Sequence, residues 1–343
     1  MQLFNNTPFH AETLPFKGPK NKTILTVIVK GTYEFAPGKP LTVASEQISV
    51  AFGDEFHNNE DGGSLRFESD MAPFKPRADI ALVGRAYAPK GKAVQILDVL
   101  LRVGHIKKIL RVIGNRRWVY SSSLLPEYPS KPRLFSTMDI VYERAFGGID
   151  RETGIFCKEN LIGRGFFAKK SKKILDGAPL PNIEDPGRLI KSWKDHPKPV
   201  GFGFCSRTWI PRAACIGTYD EKWRKERSPD PPDDFRFDYY NAAHPDLQVE
   251  GYLRGDEEVE LVNLTPDGTV RFQLPGNIMD CIVTKSPRIE DELSSQSPVT
   301  EKVNLNLDTL CLIPDEKRLY LVWRGICPVN DLTAAEVESI TVT

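Results

Sequence analysis

The chain has no run of apolar residues long enough to span a bilayer. Its most aliphatic stretch, residues 94–103, is interrupted by Gln95, Asp98 and Arg102, whereas a spanning helix needs about 20 consecutive apolar residues. Residues 1–10 hold no basic segment followed by an apolar one, so no secretory leader is expected and the expected location is cytoplasmic. An excess of charge is also missing. Forty-six Lys plus Arg face 46 Asp plus Glu, which removes the global attraction behind binding to nucleic acid or to an anionic membrane. Cysteine is sparse and scattered: Cys157, Cys205, Cys215, Cys281, Cys311 and Cys327 form no C-x-x-C pair. That excludes a compact disulfide framework and a cysteine zinc site, and leaves buried free thiols as the expectation.

Histidine is equally scarce. None of His10, His57, His105, His196 and His244 lies in a G-x-S-x-G or H-E-x-x-H neighbourhood, so no nucleophile with a placed base is recognisable. His105 and His196 are expected to be structural. Asp238, Asn241, His244 and Asp246 gather within nine residues and have the donor types for a metal or an oriented base. A zinc site would need a second imidazole from elsewhere, so no metal and no cofactor is expected. The glycine pairs Gly147-Gly148, Gly163/Gly165 and Gly201/Gly203 match no phosphate-binding fingerprint and read as positions of positive φ or close approach. The basic run 169–173 reads as a solvated loop.

What the chain has in surplus is proline: 27 in 343 residues, or about 8% against the usual 5% or so. Proline breaks helix interiors and removes a backbone donor, so with 40% hydrophobic residues the composition points to strands and long ordered loops. Strand pattern fills both ends. Residues 23–35 are rich in β-branched and aromatic types and reach a turn at Pro37-Gly38 before Leu41. Residues 79–87 repeat the signal. Residues 105–113 and 116–120 flank Gly114-Asn115, a pair suited to a tight hairpin. Hairpins are likewise expected across 265–268 and 314–317, with a last strand near Ile340. The expected fold class is therefore all-β or β-dominated: antiparallel sheets, sandwich-like or barrel-like, with long Gly/Pro/aromatic loops and a few short helices.

One domain is expected over 1–343, with an N-terminal β unit at 1–143, a loop-rich aromatic region at 144–247 and a C-terminal β unit at 248–343. In the middle region short helices are expected over 184–195 and 219–227, followed by an extended loop at 228–234. Trp, Tyr and Arg concentrate binding energy at protein interfaces. Arg207, Trp209, Arg212, Tyr219, Trp223 and Arg224 fall within eighteen residues. With Arg144, Phe146, Arg164 and Phe166 they are the candidate protein-contact residues. The other reading of the same side chains is a polar-aromatic mini-core, with Arg stacked on aromatic rings.

Several phrases in order carry a resemblance. They include Lys30-Gly-Thr-Tyr-Glu-Phe35, Lys75-Pro-Arg-Ala-Asp79, Tyr142-Glu-Arg-Ala-Phe-Gly-Gly148 and Ile162-Gly-Arg-Gly-Phe166. Further along come Leu180-Pro-Asn-Ile-Glu184, Pro199-Val-Gly-Phe-Gly203, Trp209-Ile-Pro-Arg212, Asn241-Ala-Ala243 and Gly255-Asp-Glu257. Through these the chain resembles a type VI secretion accessory family catalogued as a domain of unknown function, DUF2169, and regarded as effector adaptors or chaperones. The resemblance implies a non-enzymatic protein that binds a secreted effector, often linked to a PAAR-domain spike tip, and helps load it onto the VgrG spike protein. It supplies no catalytic residues. The alternatives are an enzyme acting on carbohydrate or cell-wall glycan through a carboxylate pair, and a structural component of the secretion machine.

Overall fold

The computed structural model describes residues 1–57, 63–120, 127–169, 175–286 and 298–343. Residues 170–173 of the basic run lie outside them. Strand Thr23–Glu34 is the spine of the larger sheet, and its β-branched run is buried on both faces. It pairs antiparallel with His10–Lys17 on one side and Arg318–Pro328 on the other. The sheet continues through Val299–Ile313, Met279–Lys285 and Val337–Val342 to Gln2–Asn5. Its first and last strands, Gln2–Asn5 and His10–Lys17, are consecutive in the chain and joined only by residues 6–9, so the sheet curls to near closure. Near closure leaves little open edge. Ala78–Leu82 branches off in parallel with Val299–Ile313 and carries Gln248–Val249.

A second, antiparallel sheet runs in the order Ile183–Glu184, Ile106–Ile113, Ile96–Val103, Glu258–Val262, Thr269–Gln273. Both sheets draw strands from 1–143 and from 248–343. Side chains from the two sheets meet in one core, where Phe35 stacks on Phe272 at 4.8 Å between ring centres. The fold is β-dominated, and the α-helix Glu221–Glu226 is only six residues long. No helix among the described residues is long and apolar enough to cross a membrane. All six cysteines are buried and free.

The hairpins across 37–38, 265–268 and 314–317 form as expected, and residues 337–342 supply the last strand. Two local expectations fail. Gly114-Asn115 is not a hairpin turn: Ile106–Ile113 pairs back onto Ile96–Val103 through Gly104-His105, while Trp118–Val119 pairs with Tyr128–Pro129. Gly104 supplies the left-handed residue of the real turn at φ 55°. Gly114 is instead a point of close approach, where a Cβ would lie 1.8 Å from the Arg133 carbonyl oxygen. Residues 184–195 are not a helix: Glu184 ends a strand, and 185–195 run through turns and bends. Side-chain carboxylates there take the backbone donors that a helix would use. Glu184 accepts from Ile190 N–H at 2.8 Å, Asp185 from Gly187 N–H at 2.8 Å, and Asp195 from Lys191 and Ser192 N–H at 2.9 and 2.8 Å. The helix expected over 219–227 is present as Glu221–Glu226, capped by Asp220 accepting from Trp223 N–H.

A continuous buried polar chain ties the middle region to the larger sheet. Asp79 accepts from Asn241 Nδ2 and from the N–H groups of Ala242 and Ala243. Lys75 Nζ donates to Asp79 and to Thr309 Oγ1, both at 2.9 Å, and Thr309 donates to Asp308. Asp308 pairs with Arg324, which donates to the Asp70 carbonyl, and Asp70 pairs with Lys30 at 2.7 Å. Each of Lys30, Lys75 and Arg324 thus has its own aspartate, which is the condition for burying charge without a large penalty.

Candidate functional site

The middle region is organised around Tyr142, held in the 3-10 turn Tyr142–Arg144. Its ring meets Trp209 edge-on at 5.2 Å, and its hydroxyl lies 3.3 Å from Cys205 Sγ. Gly201 makes room for it, since a Cβ there would come within 3.0 Å of the ring. Below the ring, Arg212 is 1% exposed and donates to both oxygens of Glu68, to the Cys205 carbonyl and, through Nε, to the Tyr239 carbonyl. Arg207 grips Asp54 with two hydrogen bonds of 2.9 and 3.0 Å and also reaches Glu68 at 2.8 Å. Charge-assisted bonds of this kind fix loops as firmly as a sheet ladder does.

On this base lies a groove of about 430 Å³. Prolines wall it: Pro197, Pro199, Pro211 and Pro245, with Val200 and Ile210 between them. Glu159, Asp185, Arg188 and Lys198 give it charges of both signs. The apolar surface continues outward. Ile210 N–H donates to the Lys158 carbonyl at 3.1 Å, which ties it to an excursion where Ile149 and Phe156 face each other across a bridge. Ile149, Ile155, Phe156 and Ile210 are each at least 40% exposed.

Cys205 and His244 both line the groove, but their environments do not suit nucleophilic chemistry. Burial pushes the Cys205 thiol up to about 11, so it stays protonated at neutral pH. His244 has both ring nitrogens engaged: Nε2–H donates to the Pro199 carbonyl at 3.2 Å, and Nδ1 accepts from Asp246 N–H at 3.2 Å. Burial first, and then the Lys108 charge 3.4 Å away, push His244 down to about 4. Asp246 is held below the ordinary carboxylate value because its bond and attraction to Lys108 outweigh the effect of burial. The gathering of His244, Asp246 and Asn241 is thus a structural lock. No group of three metal-ligating side chains occurs among the described residues.

The ten sequence-predicted contact residues do not form one surface. Phe146, Trp209 and Arg212 are buried, and support the surface from beneath. Phe166 packs against Phe146 at 6.2 Å and His196 at 5.1 Å. Arg144 and Arg164 flank Asn182 Oδ1, each at 3.5 Å, beside a charged cleft of about 350 Å³. Carboxylates in that cleft are already engaged: Glu143 by Ser64, Asp139 by Arg85, Asp315 by Tyr87. Tyr219, 50% exposed, leans on Trp223 at 4.6 Å, and Arg224 pairs with Glu221 at the surface. Sequence reasoning missed Tyr142 as the organiser and missed the exposed isoleucines. The signal for the latter was present: Ile149 and Ile155-Phe156 bracket a polar turn too short for either arm to be a core strand.

No curated protein and no solved structure matches the chain. A family model described as an uncharacterized protein conserved in bacteria (DUF2169) matches residues 20–324, which take in the smaller sheet, all of the middle region and the central strands of the larger sheet, and leave out Gln2–Asn5, His10–Lys17 and Val337–Val342. The chain belongs to that family.

Proposed function

We propose that this protein is a binding protein that holds a client protein in the proline-walled groove, and that the client is a type VI effector being loaded onto its spike. The observation that supports the binding mode is the junction of the groove with the exposed Ile149, Ile155, Phe156 and Ile210 on loops locked by buried ion pairs. A preorganised apolar surface loses little entropy on binding. The surplus of proline has a use here, since four prolines wall the groove and restrict its backbone in the free state. The equal numbers of acids and bases leave client choice to local shape and to paired charges rather than to long-range attraction. The secretion context rests on the ordered phrases from Lys30 to Glu257.

The test is co-expression with a type VI effector and its PAAR and VgrG proteins from the same cells. A complex that survives gel filtration, and an effector that is no longer delivered from a deletion strain, is the expected result. Clean separation together with normal delivery overturns the proposal.

A further inference from the structure

A second cavity, of about 270 Å³, opens where residues 115–117 and 130–133 meet Pro179, Leu180 and Arg164. Its charged lining is of one sign: Arg116, Arg117, Lys131, Arg133 and Arg164, with no carboxylate among the lining residues. Among the described residues, only Arg116 of these five is in an ion pair, with the buried Glu184. Arg117 donates to the Gly177 carbonyl at 3.3 Å and Arg164 to the Glu143 carbonyl at 2.7 Å, both neutral acceptors, and of the two only Arg164 feels a carboxylate, that of Glu143, among the described residues. Lys131 and Arg133 have no ion pair and no side-chain hydrogen bond among the described residues.

Two further features bear on the cavity. Arg116 is 9% exposed, yet its buried Nε–H has no hydrogen-bond partner, a condition proteins rarely tolerate. Burial, and next the charge of Arg144, push Arg164 below its ordinary value, so an anion in the cavity offsets a repulsion already present. Ser130 Oγ accepts from Arg117 N–H at 3.0 Å and keeps its own hydrogen to donate. Guanidinium forks match carboxylates with paired bonds.

We propose that this cavity is an anion site that receives carboxylate side chains from an acidic peptide segment of the partner protein. Cations spread round a mouth of this size suit carboxylates presented along a chain better than one compact ion. The proposal rests on the function above only in assigning the anion to a partner protein.

The experiment titrates the whole protein with a labelled peptide of Glu and Asp and with its Gln and Asn counterpart, read by fluorescence anisotropy. The acidic peptide binds and the amide peptide does not. The double reversal Lys131→Glu with Arg133→Glu weakens binding by about tenfold or more, and an equal reversal at Lys222 and Lys225, on the exposed helix, leaves it unchanged. Both substituted side chains are exposed. If the reversal does not fold, Lys131→Gln with Arg133→Gln reads the same loss. Equal binding of the two peptides overturns the proposal, as does indifference to these substitutions. So does binding of inorganic phosphate at these residues without binding of the acidic peptide. A protein that takes the acidic peptide but forms no complex with any effector overturns the proposed function and leaves this site standing.

Discussion

Arg212 and Glu68 grip each other inside the protein, Nη1 to Oε2 at 2.7 Å and Nη2 to Oε1 at 2.6 Å, with side chains 1% and 4% exposed. Glu68 also receives Arg207, which is 28% exposed and keeps Asp54 as a second partner. The two arginines are therefore unequal. Glu68→Gln leaves the Arg212 charge buried with only carbonyls around it, and is expected to cost about 3 kcal/mol or more. Arg207→Gln leaves the buried pair intact and is expected to cost about 1 kcal/mol. Urea unfolding of the two variants measures the difference. Equal costs would mean that the buried pair is not what holds the groove floor.

A second expectation concerns Gly148, at φ 102° with an added Cβ only 2.6 Å from the Gly163 carbonyl oxygen. Neither backbone can retreat, because Arg164 N–H donates to the Ala145 carbonyl and Gly148 N–H to the Asn160 carbonyl. Gly148→Ala is expected to destabilise by about 3 kcal/mol. Gly38 is the control: its φ is 70° and nothing lies within 4 Å of an added Cβ. Gly38→Ala carries the left-handed cost alone, about 1 kcal/mol. Thermal melts that rank the two variants the other way would refute this account of the glycine pair.

These two cases show what the sequence makes legible and what it hides. The pair Gly147-Gly148 reads correctly as a place of positive φ and close approach, because glycine has few other reasons to be doubled between large apolar residues, here Phe146 and Ile149. The hairpins at 265–268 and 314–317 read correctly because alternation or a β-branched run stops at a turn residue on both sides. Lys30 does not read correctly. Within a strand pattern it looks like an outward lysine, and only the distant Asp70 explains why it is 2% exposed. The same holds for Glu184, whose apparent helix start is undone by Arg116 and by the Ile190 N–H. Local pattern carries the strands, but buried charge depends on partners far along the chain, and the candidate site is built on such pairs.

The His244 lock makes stability depend on pH with a definite sign. Its pKa in the folded protein is about 4, against 6.5 for the free side chain. The unfolded chain therefore takes up the proton first as pH falls. Stability is full above pH 6.5 and is lost progressively towards pH 4, by up to about 3 kcal/mol at 1.36 kcal/mol per unit. His244→Gln removes the titrating group, so its stability should fall less over this window. Denaturant midpoints at pH 7, 5.5 and 4.5 for the two proteins test it, and parallel curves would show that His244 is not the group responsible.

Ile210 separates the groove from the helix as the contact surface. It lines the groove, is 40% exposed, and is held by its N–H to the Lys158 carbonyl rather than by its side chain. Ile210→Asp should therefore change folding stability by no more than about 0.5 kcal/mol, as expected for an exposed position. In a client complex the same substitution places a charge in an apolar contact, and dissociation should quicken by about tenfold or more. Tyr219, 50% exposed and leaning on Trp223, is not part of the groove lining. Tyr219→Ala should leave dissociation within about twofold of the parent. Binding kinetics on an immobilised effector read both values. A loss at Tyr219 with none at Ile210 would move the client from the proline-walled groove to the helix Glu221–Glu226, where the aromatic and arginine composition first pointed.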